Sequence, residues 1–426
     1  MGRLKERKQR TDIHRESFRY RMMYVHSYLY VSLSYSRAEV AGLENIPENA
    51  AVIFAPNHCN TLMDALVVLR SRWKPTVFGA RADLFKIKLL GKFMHFLKIV
   101  PMVRSRDGIR NVVKNLDTME DMVEVLSKGL PFCIFPEGTH RPKHSLMPLL
   151  KGVQRVARMA YDELKDREVY IVPVGLEYGD YFRFRSTSLV HFGEPLNVSE
   201  FLKANPEMSE PESYRKLNEL LSDKMSKLIT YIPDDENYDA VWAYTKVKTA
   251  GCRKGSLLDQ QKRRQEVVAS AATVPAETLQ AALDLDRKRK SAGISFKSFG
   301  YRNSGLRLAG KTLGLIALMP MFLYFAITSL LHWLPSEIVC ARMIKDKAFA
   351  NSIKTVLYVM LWPIVMLITA IVLLCTVGWK IALAQFILMI FAPAAFYQFI
   401  EWFRVWFSDL KLLFRKDLRK AFDAIR

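Results

Sequence analysis

Paired cysteines and metal-ligand spacings are both missing from this chain. Its five cysteines (Cys59, Cys133, Cys252, Cys340 and Cys375) are scattered, with no CxxC pair and no cluster of histidine and cysteine, so no metal site is expected and a reducing compartment is expected for the soluble part. Residues 1–15 are basic and polar and lack the apolar core and small-residue cleavage site of a secretory signal. Gly2 is not followed by the Ser or Thr of a myristoylation signal, so lipidation is not expected either. Acidic residues are scarce: 42 Asp and Glu stand against 63 Lys and Arg, a net charge of +21. That balance favours a partner negatively charged over a wide area, either nucleic acid or an anionic bilayer, and charge alone does not choose between them. No zinc, RRM-like or helix-turn-helix signature speaks for nucleic acid.

What is present is apolar. Half of the 426 residues are hydrophobic, enough for a large core and more than one structural region. From Phe18 to Tyr35 tyrosines crowd among arginines, which suits a helix lying at a lipid surface or one packed on the domain that follows the basic segment 1–37. Over 38–198 short apolar runs alternate with helical patterns. Strands are expected at Ala51 to Pro56, Thr76 to Gly79, Ile99 to Val103, Pro131 to Phe135, Val169 to Leu176 and Leu189 to Phe192. Val112, Leu116, Met119, Val123 and Leu126 recur at helical spacing, with Gly129 at a C-cap. The alternation predicts an α/β layer fold, a mixed sheet flanked by helices. Residues 199–310 read as polar and helical, and their charge runs, Lys262-Arg263-Arg264 and Arg287-Lys288-Arg289-Lys290, are expected to be solvated faces, with anionic headgroup contact as the alternative.

The stretch 311–402 decides the class of protein. Thr312 to Leu334, Thr355 to Thr376 and Ile381 to Ile400 are nearly uncharged and of bilayer-spanning length, which predicts C-terminal transmembrane helices and argues against nucleic acid as a partner. The tail 403–426 carries Lys411, Arg415, Lys416, Arg419 and Lys420, so it is expected in the cytoplasm. With the α/β domain on the same side, the number of crossings must be even. Three segments conflict with that parity, so one is expected to be re-entrant or interfacial, or the two close ones to act as a single element broken around Pro363 and Pro393.

Four motifs carry chemistry. Pro56-Asn57-His58-Cys59-Asn60-Thr61-Leu62-Met63-Asp64 places a histidine at a strand end and an aspartate within two helical turns, where the carboxylate can fix the imidazole tautomer whose other nitrogen takes a proton. The same residues could merely cap the following helix. Ile99 to Gly108 holds Arg104 and Arg106, whose guanidinium forks match phosphate oxygens. Phe135-Pro136-Glu137-Gly138-Thr139-His140-Arg141-Pro142 sets a glycine beside a glutamate at a strand end, where a ligand can approach the backbone, with Arg141 and then Lys151 adding positive charge. Ile171-Val172-Pro173-Val174 is an apolar strand with Pro173 where an acyl chain could pass.

Taken in order over roughly Glu39 to Pro195, these blocks resemble the glycerophospholipid acyltransferase family. The resemblance implies a membrane-bound enzyme that moves a fatty acyl group from acyl-CoA or acyl carrier protein, as co-substrate and with no cofactor, to a hydroxyl of glycerol 3-phosphate or a related acceptor. Lysophosphatidate is the alternative acceptor, and a non-catalytic protein that binds anionic lipid is the alternative of another class. It implies His58 as general base oriented by Asp64, and an acceptor phosphate held by Arg104, Arg106 and Arg141. Glu137 would position the glycerol hydroxyls, with Gly138, Thr139 and Lys151 in the same substrate site. The membrane would be a bacterial inner membrane or the endoplasmic reticulum, with the catalytic domain facing the cytoplasm. Two departures stand out: one residue more than the family's usual spacing separates His58 from Asp64, and His140 intervenes before Arg141. The longer first motif, with the run Pro148-Leu149-Leu150-Lys151-Gly152 after the third, looks more like the fungal-type branch that acylates glycerol 3-phosphate or dihydroxyacetone phosphate.

Overall fold

The structure, a computed structural model, describes residue 13 and residues 17–102, 112–252, 254–302, 304–343 and 348–426. The chain opens with helix α1 (Phe18–Ser34), runs straight into strand β1 (Tyr35–Ala41), and continues through β2 (Ala51–Pro56), α2 (Leu62–Ser71), β3 (Val77–Arg81), α3 (Lys88–Phe96), β4 (Ile99–Met102), α4 (Val112–Ser127) and β5 (Phe132–Cys133). Then come α5 (Gly152–Glu163), β6 (Val169–Tyr178), β7 (Ser186–Phe192) and the short β8 (Leu196–Asn197). The sheet order is β1-β7-β6-β2-β5-β3-β4, with β8 beside β6. Strands β6, β2, β5, β3 and β4 are parallel, whereas β7 runs antiparallel to β6 and pairs in parallel with β1. The mixed sheet expected from the alternation is therefore present. β1 was not among the expected strands, because Arg37 and Glu39 interrupt its apolar pattern, as suits an edge.

Period-two alternation divides the core. Ala51, Ile53 and Ala55 of β2 face one hydrophobic cluster with Val153 and Val156 of α5, and Val52 and Phe54 face another with Met63 and Val67 of α2. Strand β2 is buried on both faces, which is why its sequence is a continuous apolar run. Gly129 ends α4 with φ +75°, as its C-cap position predicts. Pro173 is tolerated inside β6 because it falls where the strand changes partner, between Ile171, paired with Leu196, and Val174, paired with Phe192.

The polar region is helical: α6 (Val198–Ala204), α7 (Glu210–Lys227), α8 (Tyr238–Lys248), α9 (Leu257–Ser270), α10 (Ala276–Ser291) and α11 (Phe296–Phe299). Its charge runs are only partly solvated. Arg264 reaches Glu177 of β6 at 2.6 Å, and Arg289 packs on Phe296 and pairs with Asp286, so each run uses a cation to fasten one element to another.

Beyond them lie α12 (Gly305–Ala317), α13 (Met319–Met343), α14 (Ala348–Thr376), α15 (Trp379–Phe414) and α16 (Lys416–Ile425). Three of these, over Met319–Arg342, Phe349–Thr376 and Trp379–Phe414, are long and apolar enough to cross a membrane. The apolar stretch expected to begin at Thr312 is two helices, because the chain breaks at Leu318 ahead of Met319-Pro320, and proline is at home in a first turn. Helices α14 and α15 form an antiparallel hairpin turned at Gly378 (φ +105°), with the Trp362 indole N–H donating to the Met389 carbonyl at 3.1 Å. Helix α13 runs antiparallel to the start of α14: Glu337 pairs with Lys354 at 2.5 Å, and the Cys340 thiol faces the Ala350 carbonyl at 3.5 Å. The inner faces of α13, α14 and α15 join the core on the α2 side of the sheet, so the sheet and the apolar helices share one hydrophobic interior. One face of α1 packs on the domain, with the Tyr24 hydroxyl donating to the Leu69 carbonyl of α2 at 3.1 Å and His26 contacting the Val359 carbonyl of α14 at 2.9 Å, while Phe18, Met22 and Leu29 stay exposed.

Candidate active site

His58 sits just past the carboxyl end of β2, a central strand in the parallel part of the sheet, where α/β folds place their sites. Asn57 makes that ending firm. Its side-chain amide imitates a strand, donating to the Leu176 carbonyl at 3.2 Å and accepting from the Leu176 N–H at 2.7 Å, so the ladder with β6 extends beyond Pro56. The His58 ring stacks on Phe135 at 4.2 Å between centroids, and His140 meets it edge-on at 5.6 Å. Its side chain keeps 18% of its surface exposed.

Asp64 lies on the first turn of α2, fully buried, and its carboxylate is crowded with donors. Oδ2 accepts from His58 Nδ1 at 2.8 Å, from the Cys59 N–H at 2.8 Å and from the Asn60 N–H at 2.6 Å, while Oδ1 accepts the Tyr178 hydroxyl at 2.7 Å. A carboxylate on Nδ1 fixes the tautomer in which Nδ1 carries the proton and Nε2 is the basic nitrogen. Tyr178 escaped sequence reading, because its partner is 114 residues away. The one signal available was phase: it continues the alternation of Val174 and Leu176 on the face that holds α2. Burial first, and Asp64 second, push the Tyr178 phenol pKa well up, so it stays a donor. The same two causes push the Cys59 thiol up, the reverse of what an activated nucleophile needs.

The loop between His58 and Asp64 turns at Thr61. Its φ and ψ of 50° and −124° lie in a turn closed by the Met63 N–H on the Asn60 carbonyl at 3.0 Å, the mirror image of the first central position of a type II turn, which glycine usually fills. For a β-branched residue this costs about 1–3 kcal/mol. Thr61 is the N-cap of α2, yet its side chain makes no cap hydrogen bond. Instead its hydroxyl bonds Ser352 of α14, whose Oγ also accepts the Leu62 N–H at 3.2 Å. Nearby, the Thr355 hydroxyl meets Met63 Sδ at 3.1 Å, the Asn351 amide donates to the Tyr181 carbonyl at 3.4 Å, and Phe349 packs edge-on against His140 at 4.9 Å.

Glu137 is 5% exposed, and burial raises its pKa. Its observed contacts are with backbone: Oε1 accepts the His58 N–H at 2.8 Å and Oε2 the Met147 N–H at 3.0 Å, which ties the histidine loop to the segment before α5. Gly138 has φ +65°, and a Cβ there would stand 2.4 Å from Leu150 Cδ1. Thr139 is exposed at the same turn. The Arg141 N–H donates to the His58 carbonyl at 3.0 Å, and its guanidinium is engaged by Asp234 and by Ser145 Oγ at 2.8 Å. Lys151, at the N-cap of α5, is exposed and lines an open groove of about 750 Å³ with Leu149, Ser209 and Asn218. Pro173 is buried in the sheet opposite Ala55. Arg104 and Arg106 lie outside the described residues.

Residues 37–177, which include His58, Asp64 and Glu137, match the family model described as Acyltransferase. That segment of the chain is an acyltransferase-family domain. Among curated proteins, the chain is similar to glycerol-3-phosphate O-acyltransferase 1 of Saccharomyces cerevisiae, 37% identical over 94 residues, which are 22% of this chain and 12% of that protein. It is also similar to the chloroplastic 1-acyl-sn-glycerol-3-phosphate acyltransferase BAT2 of Brassica napus, 27% identical over 145 residues, which are 33% of this chain and 40% of that protein. Among solved structures, the crystal structure of the 1-acyl-sn-glycerophosphate (LPA) acyltransferase PlsC from Thermotoga maritima aligns with a TM-score of 0.36 at 21% identity, over 49% of this chain and 79% of that one. The chain thus spans well under half the length of the curated relatives named here.

Proposed function

We propose that the chain is a membrane-embedded O-acyltransferase that transfers a fatty acyl group from an acyl thioester, acyl-CoA or acyl carrier protein, to a hydroxyl of glycerol 3-phosphate. The observation that carries this is the 2.8 Å contact of His58 Nδ1 with a fully buried Asp64. His58 Nε2 takes the proton of the acceptor hydroxyl as its oxygen attacks the thioester carbonyl carbon. The tetrahedral intermediate then expels the thiolate, which recovers the proton from Nε2, leaving an ester and a free thiol. Asp64 stabilises the imidazolium formed between these steps. No acyl-enzyme is required, in keeping with the suppressed acidity of Cys59. The acceptor phosphate is assigned to Arg104 and Arg106 from the sequence. Arg141, tied to Asp234 and Ser145, joins them only by exchanging partners. Glu137 orders the loop that carries His58. The 1-acylglycerol 3-phosphate acceptor is the second reading, favoured by the match to the plastid enzyme.

We place α14 and α15 across the bilayer as two crossings. Both outer ends of this hairpin face the soluble part: Ser352 touches the histidine loop, and Asp409 pairs with Lys311 and accepts from the Tyr301 hydroxyl at 2.7 Å. Helix α12 begins beside Asp409 and α13 ends beside Ala350, so the α12–α13 unit enters and returns on one side without crossing. This gives the even parity that a cytoplasmic catalytic domain and a basic cytoplasmic tail require. Purified protein in detergent, given palmitoyl-CoA and each of glycerol 3-phosphate, dihydroxyacetone phosphate and lysophosphatidate, tests the assignment. Acylation of glycerol 3-phosphate is expected, and acylation of lysophosphatidate alone would replace the first reading by the second.

A further inference from the structure

We infer that Ser352, on the membrane helix α14, is a positioning residue for the proposed base: it caps α2 from outside and holds the lengthened loop between His58 and Asp64 in its working shape. The inference rests on the His58 reading given above and adds to it a residue nearly three hundred positions away in sequence. The first N–H groups of a helix need partners, and an N-cap Thr normally supplies one by folding its own hydroxyl onto them. Thr61 does not: it stands at φ +50°, and its hydroxyl points to α14. Ser352 Oγ replaces the missing cap by accepting the Leu62 N–H, and the same oxygen anchors Thr61 in a backbone conformation that β-branched residues rarely adopt. Asp64 lies two residues after Leu62, and the Cys59 and Asn60 N–H groups that hold its carboxylate belong to the same loop, so a shift at Thr61 moves the carboxylate off His58.

Ser352 is itself well fixed. It is 4% exposed, with Asn351 bonded to the Tyr181 carbonyl on one side and Thr355 on Met63 a turn later, while Lys354 of the same turn pairs with Glu337 of α13. The proposed acyl-transfer site is therefore completed by the first turns of a membrane helix, and its geometry depends on how α14 is seated.

The test is a double-mutant cycle of Ser352→Ala and Thr61→Gly in the full chain in detergent, read by kcat and KM and by hydrogen exchange of the segment 58–64. Glycine adopts φ +50° without strain and leaves Ser352 little to hold. Ser352→Ala is expected to lower kcat at least tenfold with KM changed less than twofold, and to speed exchange of 58–64 at least tenfold. In the Thr61→Gly background the same substitution is expected to cost less than threefold in kcat, whatever Thr61→Gly does alone. Ser352→Thr, which keeps the hydroxyl, is expected to stay within threefold of the parent in both readouts and guards against a folding defect in the alanine variant. Equal losses in both backgrounds, or unchanged exchange of 58–64 in Ser352→Ala, overturns the inference. A chain with no acyl transfer even before substitution overturns the functional reading instead, and the exchange measurement still decides the role of Ser352.

Discussion

At the residue scale, the proposed site is built around one buried carboxylate and the groups that hydrogen-bond to it. Asp64 has no surface exposure, so its oxygens find their partners in the imidazole, two backbone N–H groups and the Tyr178 phenol around it. Removing the phenol by Tyr178→Phe takes away a hydrogen bond to a charged group, worth roughly 1.5–3 kcal/mol. Steady-state kinetics should show kcat falling about ten- to a hundredfold with KM little changed. Cys59→Ala should retain most activity, since the Asp64 contact that matters most at this position comes from its backbone N–H; mass spectrometry after rapid quenching should find no acyl group on Cys59 of the parent protein. His58, Asp64 and Glu137 could be singled out from the sequence because the two motifs that hold them are short, and the structure brings the three together. Tyr178 and Ser352 could not, because a side chain reaching in from a distant strand or helix leaves little local trace in the chain, and for Tyr178 only its phase in β6.

At the scale of elements, Glu177 and Arg264 show how the helical region is fastened to the sheet. Burial opposes ionisation of Glu177, yet Arg264 and His144 hold its pKa well below the usual carboxylate range, and the Thr230 N–H donates to Oε1 at 2.6 Å. In the unfolded chain this carboxyl takes up a proton near its ordinary pKa of about 4.3, while in the folded chain it does not. The unfolded state therefore binds more protons as pH falls, and the stabilisation present at neutral pH is lost progressively below about pH 5. Denaturant unfolding between pH 5 and 3 should be less steeply pH-dependent in Glu177→Gln than in the parent. Arg264→Ala should cost roughly 2–3 kcal/mol at pH 7, below the ~3–5 of a fully buried pair because Arg264 is 24% exposed. Read as sequence, Lys262-Arg263-Arg264 is a polar run, and nothing in it marks Arg264 as the residue that turns inward. The break between α12 and α13 was hidden for a related reason: hydropathy is continuous across it, and only Pro320 marks the new helix. The strands of the parallel part were legible as short apolar runs, and most plainly β2 and β6, which are buried on both faces and so are apolar almost throughout.

At the scale of the whole molecule, the acyltransferase-family domain and the apolar helices are one packed body whose junction is the histidine loop. Segment length alone counts three candidate spans, and the proposal of two crossings rests on the pairing of α12 with the end of α15 and of α13 with the start of α14. The chain carries its own reporters, since Cys252 before α12 and Cys375 at the far end of α14 are both exposed. With two crossings they lie on opposite sides, and with three on the same side. Impermeant maleimide applied to sealed vesicles of one orientation should label one and not the other, with Cys252→Ser and Cys375→Ser identifying the bands. The central claim is that His58 is the base of an acyl transfer, and the most direct measurement is the rate at which purified parent protein and His58→Ala form lysophosphatidate from glycerol 3-phosphate and palmitoyl-CoA. The account predicts a loss on the order of a thousandfold or more for the variant at unchanged fold. Retention of the parent rate by His58→Ala would contradict it.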